Sequence, residues 1–573
     1  MPLAPQRTWI LPRHTTGDAP DGIPDLVWQI LRSRGMAEAD MPGFIAAPAL
    51  ADGPPMLDLD RAVERIRRAL RARERIVVYG DYDVDGIAGT ATLVRAFRAF
   101  GVAVAAYIPN RYEEGYGLNA QALRELAADG ATVVISVDCG VTAVQEAQLA
   151  RELGLDLIIT DHHHPPPVLP EPYALLNPRR PGDPSPHKDL AGAGVALVLA
   201  RALLGEIDFA LREDELLQLC ALATVADVVP LLGQNRALTR RGLAALNASP
   251  ITGVRALTDR AGVKIGRITA ADIGFRLGPR LNAAGRLADA TEALRLLLTE
   301  DQDEARALAD RLEERNTERQ RLTQEVVTGA RERAAERPDA WMTVVADPGW
   351  SAGIVGLAAS RLVEDHGRPA AVIAIDGEDG KGSCRSIPSV HVAEALAECS
   401  DLLPKHGGHA MAAGFSIAAA RIPELVERLD GIVRRRLGGV RPVPTIRVDA
   451  EIRPDLLTPR LAIELEQLEP CGAGNPRPYL LLRDVKVFGI RQVGADLDHL
   501  RCKVTVGRFT FDAMAFRRGD RADDMLAEGR MDAVVSVGTG LRGFVELELR
   551  DFGTVGTAEQ MARTAEAAAV ATA

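Results

Sequence analysis

No stretch of this 573-residue chain approaches the length of apolar sequence that a membrane span needs, although 47% of its residues are apolar. The N-terminus carries Pro2, Pro5 and Arg7 but lacks the continuous apolar core of a signal peptide. A soluble, cytoplasmic protein is the expectation. Cysteine is scarce as well. Cys139, Cys220, Cys384, Cys399, Cys471 and Cys502 are scattered without paired spacing, which argues against a disulfide framework and a thiolate zinc site and fits a reducing compartment. There is also no excess of positive charge. With 79 acidic against 68 basic side chains the net charge is −11, so any polyanion must be held by local basic patches and not by the field of the whole chain. The length allows roughly three to five domains of ~100–200 residues, each with its own core.

Two motifs carry the chemistry. Asp81-Tyr-Asp-Val-Asp-Gly86 follows the apolar run of Arg75-Ile-Val-Val-Tyr-Gly80, and Asp161-His162-His163 follows a second such run. Several buried carboxylates at this spacing would each need a charge partner, and a divalent cation is the simplest one. The set suggests a two-metal hydrolase centre. An EF-hand loop also opens Asp-x-Asp-x-Asp-Gly, but its twelfth position would be Thr92 where a bidentate Glu is required, and the preceding segment reads as a strand. A ligand-free turn is the remaining alternative, since Asp and Gly are common in turns.

From Arg75 to Asp161 short apolar runs alternate with helical patterns. Ile76–Tyr79, Val102–Ile108, Thr132–Val137 and Leu155–Thr160 read as strands. Ile87–Phe100, Asn119–Ala128 and Thr142–Leu153 read as helices. This alternation predicts a parallel, doubly wound α/β sheet, in which ligands collect beyond the carboxyl ends of the strands. Asp81, Asp83 and Asp85, then Asp138, then Asp161, His162 and His163 all follow strand ends. Asp227 sits in an otherwise apolar stretch after a helix over Leu216–Val225, where it is either a metal ligand or a helix-capping residue. Imidazole with carboxylate suits Mn²⁺, and a carboxylate-dominated set suits Mg²⁺. His164 reads as solvated.

Gly80-Asp-Tyr-Asp-Val-Asp-Gly86, Ser136-Val-Asp-Cys-Gly140, Thr160-Asp-His-His163 and Ala226-Asp-Val-Val-Pro230 resemble the successive motifs of the DHH phosphoesterases. Pro109-Asn-Arg-Tyr-Glu-Glu-Gly-Tyr-Gly117, Gly278-Pro-Arg-Leu-Asn-Ala-Ala-Gly-Arg286 and Lys405-His-Gly-Gly-His-Ala-Met-Ala-Ala-Gly-Phe415 narrow the resemblance to the RecJ family, 5′→3′ exonucleases specific for single-stranded DNA that act in repair and recombination. The similarity runs from about Asp52 to Gly553 in the family's order. It implies that Asp81, Asp83, Asp85, Asp138, His162, His163 and Asp227 surround two divalent cations, Mn²⁺ or Mg²⁺. Asp138 would bridge them, and one histidine of the pair would also contact the scissile phosphate. Two such ions activate a water and stabilise the leaving oxygen of an in-line displacement.

The resemblance further implies a DHH domain over 51–300 after an N-terminal segment (1–50), a connecting helix over 301–339, a smaller α/β DHH-associated domain over 340–440 and an OB-fold barrel over 445–556. The Ala-rich residues 557–573 are expected as a disordered tail or a short helix. On the connecting helix, Arg311, Arg315 and Arg319 recur at spacing four among many Glu, as a solvated face or as a groove wall. Arg111, Ser383 and Arg385 are candidates for a pocket receiving the 5′-phosphate. Arg280, Asn282, Arg286 and His409 are candidates for the neighbouring nucleotide path. The family commonly has His after the Trp that opens the associated domain's first helix; here the sequence is Trp350-Ser351. In the barrel, Phe509, Phe511, Arg517 and Arg518 could meet a single strand, although alternating Phe is more often core. A single-strand-binding protein and a RecQ-like helicase are the partners the resemblance implies. Two other function classes stay open: a DHH phosphodiesterase acting on short oligonucleotides or cyclic dinucleotides, for which the barrel is superfluous, and a non-catalytic DNA-binding scaffold, against which the intact acidic and histidine motifs count.

Overall fold

The computed structural model describes residues 3–12, 18–46, 55–111, 113–287, 289–494, 496–539 and 544–572. The chain divides into two units. One comprises residues 48–441 with 472–475, and the other comprises residues 1–47, 442–471 and 476–573. No helix among the described residues is long and apolar enough to cross a membrane.

The first unit begins with a parallel sheet of β1 (Arg75–Tyr79), β2 (Ala105–Tyr107), β3 (Ala131–Val137), β4 (Asp156–Thr160) and β5 (Ala174–Leu176), in the order β2-β1-β3-β4-β5. The register is level, with Tyr79 opposite Ser136 and Val137 opposite Thr160, so β1, β3 and β4 end side by side. Val77, Val78, Val133 to Ile135 and Leu157 to Ile159 are buried on both faces, as a sheet covered by helices on each side requires. On one side lie α1 (Val84–Arg98) and the long α2 (Gly192–Ala226), which is kinked at Gly205 where φ is 72°. Arg95, 2% exposed, ties α1 to the helical layer through ion pairs to Glu215 and Glu300 and a hydrogen bond to the Leu297 carbonyl oxygen.

Helix α3 (Gly278–Leu287) follows a π-helical turn over Ile273–Leu277 and packs on α4 (Gln302–Ala335), whose first turn is capped by the Asp301 carboxylate accepting from Glu304 N at 2.8 Å. A second sheet contains β6 (Thr343–Asp347), β7 (Ala370–Asp376), β8 (Asp379–Arg385), β9 (Lys405–Gly408) and β10 (Ala412–Ala418), ordered β9-β10-β8-β7-β6, with only β6 and β7 parallel. Helix α5 (Val355–His366) lies between β6 and β7 in sequence and packs against α4.

In the second unit, strands Leu480–Val493, His499–Val506, Phe509–Ala515, Val545–Thr554 and Arg530–Thr539 pair in that order. The last pairs back onto the first, closing a five-stranded barrel. The sequence expectation of an OB-like barrel is met. The N-terminal segment clusters with this unit. Thr8–Ile10 pairs in parallel with Thr445–Arg447, Trp9 Nε1 donates to Asp551 Oδ2 at 2.9 Å, and Arg34 clasps the buried Asp449 carboxylate at 2.8 and 3.2 Å. Val27, Trp28, Ile30 and Leu31 join the barrel core. The tail takes the helical of its two expected states. Thr557–Thr572 forms a helix whose Ala558 packs with Trp9, because the apolar face of so short a segment is stable only when something covers it. Phe511 packs against the core, and Phe509 is half-buried beneath Arg508.

Replacing Trp9 with Ala should leave a cavity, remove one of the hydrogen bonds to Asp551 and cost the barrel unit about 3–5 kcal/mol. Amide hydrogen exchange checks this: protection in Thr445–Arg447 and Val545–Thr554 should fall, and unchanged protection there would refute the role given to the N-terminal strand.

Candidate active site

The turn after β1 is built to hold carboxylates. Asp83 caps α1, its Oδ1 accepting from Asp85 N and Gly86 N at 2.9 and 3.2 Å. Asp85 is 1% exposed and points at the N-terminus of α2, accepting from Gly192 N at 2.6 Å and Ala193 N at 2.7 Å. The first amides of a helix have no partner within it and favour an anion there. A Cβ on Gly192 would stand 2.7 Å from Oδ1 of Asp138, so only glycine lets the helix end approach this closely. Asp138, 3% exposed, follows β3 with φ 64°, a conformation unusual for a residue with a side chain and one that clusters at functional sites. Helix α3 braces the loop from outside. Asn282 Oδ1 accepts from Val84 N at 3.1 Å, and a Cβ on Gly285 would run into the Tyr82 carbonyl oxygen.

These elements produce three sets of converging ligand atoms: Asp81, Asp83 and Asp138; Asp85, His162 and Asp227; and Asp138, His162 and His163. Asp138 joins the first to the third, with its Oδ1 3.1 Å from His162 Nε2. Asp227 stands at the C-terminal end of α2, with Oδ2 3.6 Å from His162 Nε2, among the converging ligand atoms. Oδ1 of Asp81, Oδ1 of Asp138 and Nε2 of His162 are buried without a hydrogen-bond partner. Buried polar atoms left in that state in a dense anionic cluster fit divalent cations, and carboxylate with imidazole is the donor set for Mn²⁺ or Mg²⁺.

The charges show the same need. Burial pushes Asp81 and Asp138 well above the usual carboxylate range, aided by Asp83 and Asp85 respectively. Asp85 is raised to about 7 by burial and Asp83, and Asp227 to about 8 by burial and Asp85. Burial and the neighbouring His163 bring His162 down to about 4, leaving a neutral ring free to ligate.

Asp161 is held below the usual carboxylate range. Burial alone would raise it, but Oδ1 accepts from His163 Nδ1 at 2.8 Å and from two backbone amides, and Oδ2 accepts from Val141 N at 2.8 Å. Burial opposes charge on His163, yet this bond and the Asp161 charge raise it to about 9. Sequence reasoning counted Asp161 among the candidate ligands at the strand ends and not as a partner of His163. Its work is to orient His163, and the signal was the acid directly preceding the histidine pair. Tyr116, inside the Pro109–Gly117 motif, was also passed over. Its hydroxyl lies 3.4 Å from the His163 ring and donates to the Asp138 carbonyl oxygen at 3.3 Å.

Beside the carboxylates opens a cleft of about 230 Å³ lined by Asp81, Tyr82, Asp83, Arg111, Tyr116, Asn282, Gly285 and Arg286. Arg111 lies over the Tyr82 ring at 5.1 Å. Arg385 donates to Ser383 Oγ at 3.0 Å, and both side chains face the start of α5 at Gly356. Arg286 Nη1 donates to the Gly353 carbonyl oxygen at 3.3 Å. Its guanidinium is lowered to about 10 by burial and by Arg111, Arg319 and Arg385. The structure thus brings Arg111, Arg286 and Arg385 together. Asn282 borders the cleft but commits its oxygen to the metal loop. Arg280 is turned to Glu313 at 2.5 and 3.2 Å and is not among the cleft-lining residues. His409 is exposed, with its ring 6.2 Å from His164, itself exposed as expected.

Groups with raised folded-state pKa values stabilise the fold at low pH and lose that contribution as pH rises through them. For Asp85 and Asp227 the loss runs from the ordinary carboxylate range up to about 7 and about 8, and for His163 from the ordinary imidazole range up to about 9. Without metal the unit should therefore become less stable from pH 6.5 to 9, and the gain in melting temperature on adding Mn²⁺ should grow over the same range. Differential scanning fluorimetry in EDTA and in Mn²⁺ measures both; a Mn²⁺ increment independent of pH would contradict the clustered-acid electrostatics.

Three family models match in series: the DHH family N-terminal domain over residues 75–224, the DHHA1 domain over 339–435 and the RecJ OB domain over 448–540. The single-stranded-DNA-specific exonuclease RecJ of Bacillus subtilis is 38% identical over 518 residues, covering 89% of this chain and 65% of that protein. The chain thus spans just under two thirds of that relative's length. Its counterpart from Escherichia coli is 36% identical over 491 residues, 81% of this chain and 84% of that protein. The crystal structure of RecJ from Thermus thermophilus in complex with Mn²⁺ superposes with a TM-score of 0.79 at 31% identity, over 95% of this chain and 79% of that one. The same protein with Mg²⁺ gives 0.73 at 30%, over 95% and 78%. The order of domains, the shared architecture and the identity along most of both chains agree, and the chain belongs to the RecJ family.

Proposed function

We propose that this protein is a metal-dependent exonuclease that hydrolyses single-stranded DNA from its 5′ end and releases 5′-mononucleotides. The observation that carries the reading is the acidic and histidine cluster joined through Asp138, set beside a cleft bearing Arg111 and Arg286 with Arg385 close by. Asp81, Asp83 and Asp138 would hold one divalent cation, and Asp85, His162 and Asp227 with Asp138 the other. Mn²⁺ or Mg²⁺ bound there supplies an activated water and neutralises charge on the phosphodiester. His163, kept protonated by Asp161, presents its remaining ring N–H to the scissile phosphate, and Tyr116 limits how the ring turns. Arg111, Ser383 and Arg385 receive the terminal phosphate, which fixes polarity by seating the 5′ end one nucleotide from the metals. Asn282 and Arg286 continue the path, and His409 stands at its exposed edge.

A phosphodiesterase of short or cyclic dinucleotides would need only the two sheets of the first unit. The barrel, with exposed Phe488, Phe516, Arg501 and Lys503, gives a longer strand a second surface and favours the exonuclease. The acidic net charge leaves strand selection to geometry, a passage sized for one backbone. A single-strand-binding protein and a RecQ-like helicase are the proposed partners, and the cytoplasm the proposed compartment, on family resemblance. Because residues 1–47 belong to the barrel unit, removing the barrel from Thr445 alone would strand Trp9, Val27 and Leu31 without their packing face.

The test is Mn²⁺-dependent digestion of a labelled long single strand beside the same label in a blunt duplex and in a dinucleotide. Rapid loss of the single strand alone is expected; preference for the dinucleotide would favour the phosphodiesterase, and no digestion would favour a scaffold. Asp138→Asn should lower turnover by at least about a hundredfold at saturating Mn²⁺. Because it removes a repelled buried charge, the metal-free variant should melt no lower than wild type; near-normal turnover would remove Asp138 from the centre. Dephosphorylating the 5′ end should slow the wild type, and Arg385→Ala should erase most of that difference. A variant that still discriminates the two ends as wild type does would place the terminal pocket elsewhere.

A further inference from the structure

The arginines of α4 have different surroundings. Arg311 and Arg315 both turn to Glu292, at 3.1 and 2.8 Å, and Glu313 holds Arg280 of the neighbouring α3. Arg319, the next at that spacing, is half-buried and has no carboxylate within ion-pair distance among the described residues. Its hydrogen bonds run from Nε and Nη2 to Asn316 Oδ1, at 3.3 and 2.9 Å. Asn316 is itself 0% exposed, and its Nδ2 has no partner. The charges that act on Arg319 are those of Arg280 and Arg361, and burial with these cations holds its guanidinium below the ordinary range. Arg319 in turn pushes on Arg286. A partly desolvated guanidinium among cations is unfavourable until a ligand supplies the anion, and the Asn316 amide oxygen that accepts from it fixes its plane for that ligand.

We infer that Arg319, steered by Asn316 and set beside Arg286, binds an internal phosphate of the strand, apart from the pocket for its terminal phosphate. Arg286 is repelled by Arg111, Arg319 and Arg385; of these, Arg385 is bound to Ser383 and faces Gly356 at the start of α5, whereas Arg319 is bound to Asn316 within α4. Arg286 thus links two groups, one formed by Arg111, Ser383 and Arg385, and one by Arg319 with Asn316. Of the α4 arginines at spacing four, Arg319 is the one whose charge remains available to a polyanion, because Arg311 and Arg315 are neutralised by Glu292. The inference rests on the single-strand reading above. Asn316 is a positioning residue in it, since it acts through the guanidinium.

The experiment measures affinity for a 3′-labelled oligothymidine, with a 5′-phosphate or a 5′-hydroxyl, across a salt series. It uses Mn²⁺-loaded protein carrying Asp138→Asn so that the strand is bound and not cleaved. Arg319→Gln should weaken both strands equally, by about tenfold, and reduce the slope of log affinity against log salt by about 0.7, the loss of one phosphate contact on a single strand. Arg319→Lys should restore the slope, which a merely structural role would not do. Weakening confined to the phosphorylated strand would assign Arg319 to the terminal pocket and overturn the inference, as would an unchanged affinity and slope. Failure of the underlying reading looks different: the parent protein would then bind neither strand, whatever occupies position 319.

Discussion

Mutual repulsion of buried carboxylates is the constraint on which the rest of this structure depends. Asp81, Asp85, Asp138 and Asp161 are each no more than 3% exposed, and Asp83 and Asp227 stand beside them. Such a group is tolerated only if every charge is answered. The fold answers two of them with backbone. The N-terminus of α2 takes Asp85, and the turn after β4 together with the Val141 amide takes Asp161. Asp81 and Asp138 retain orphaned oxygens. What the backbone does not neutralise is left for cations, so the same packing that makes the metal-free state electrostatically unfavourable defines where metal binds.

That arrangement needs close approach, and close approach sets the sequence at positions far from the ligands in the chain. Gly192 admits a helix end against Asp138, and Gly285 admits α3 against the loop that carries Asp81 and Asp83. Asn282 then fastens that loop from outside through Val84 N. The same helix carries Arg286 into the cleft on its next turn, so bracing the acidic loop and placing a cation in the cleft are two uses of one surface. Arginine charge is handled by the opposite logic. Where a cation serves structure it is paired, as Arg95 is with Glu215 and Glu300, and Arg280 with Glu313. Near the cleft, Arg111, Arg319 and Arg385 have no carboxylate within ion-pair distance among the described residues, and an acidic protein thereby keeps a local basic surface.

The barrel unit shows how chain order can mislead about domains. The first forty-odd residues contribute a strand and two helices to a barrel whose own strands begin near residue 480. Trp9 and Arg34 add to the bonding of two buried carboxylates, Asp551 and Asp449, which also accept from backbone amides. An N-terminal segment without a motif therefore carries structural weight, which composition alone did not signal.

The sequence by itself determined the sheet and the ligands. Val- and Ile-rich runs at regular intervals specify parallel strands, and acids placed just after them must gather at one edge, because strand direction and a level register leave no other outcome. Asp81, Asp83, Asp85, Asp138, His162 and His163 could be expected together for that reason, whereas Asp227 ends a helix and was read from its place in an apolar stretch. Only the tertiary structure decided which polar residues near the site are free. Arg311, Arg315 and Arg319 are identical in type and spacing, yet Glu292, nineteen and twenty-three residues upstream of the first two, separates them from the third. Asp161 orients His163, Arg280 turns to Glu313, and Asn282 serves a backbone amide. Each of these is a pairing between side chains brought together by folding. Hydrogen bonds and ion pairs act over a few ångströms of space, and periodicity along the chain carries no record of what lies across a helix interface.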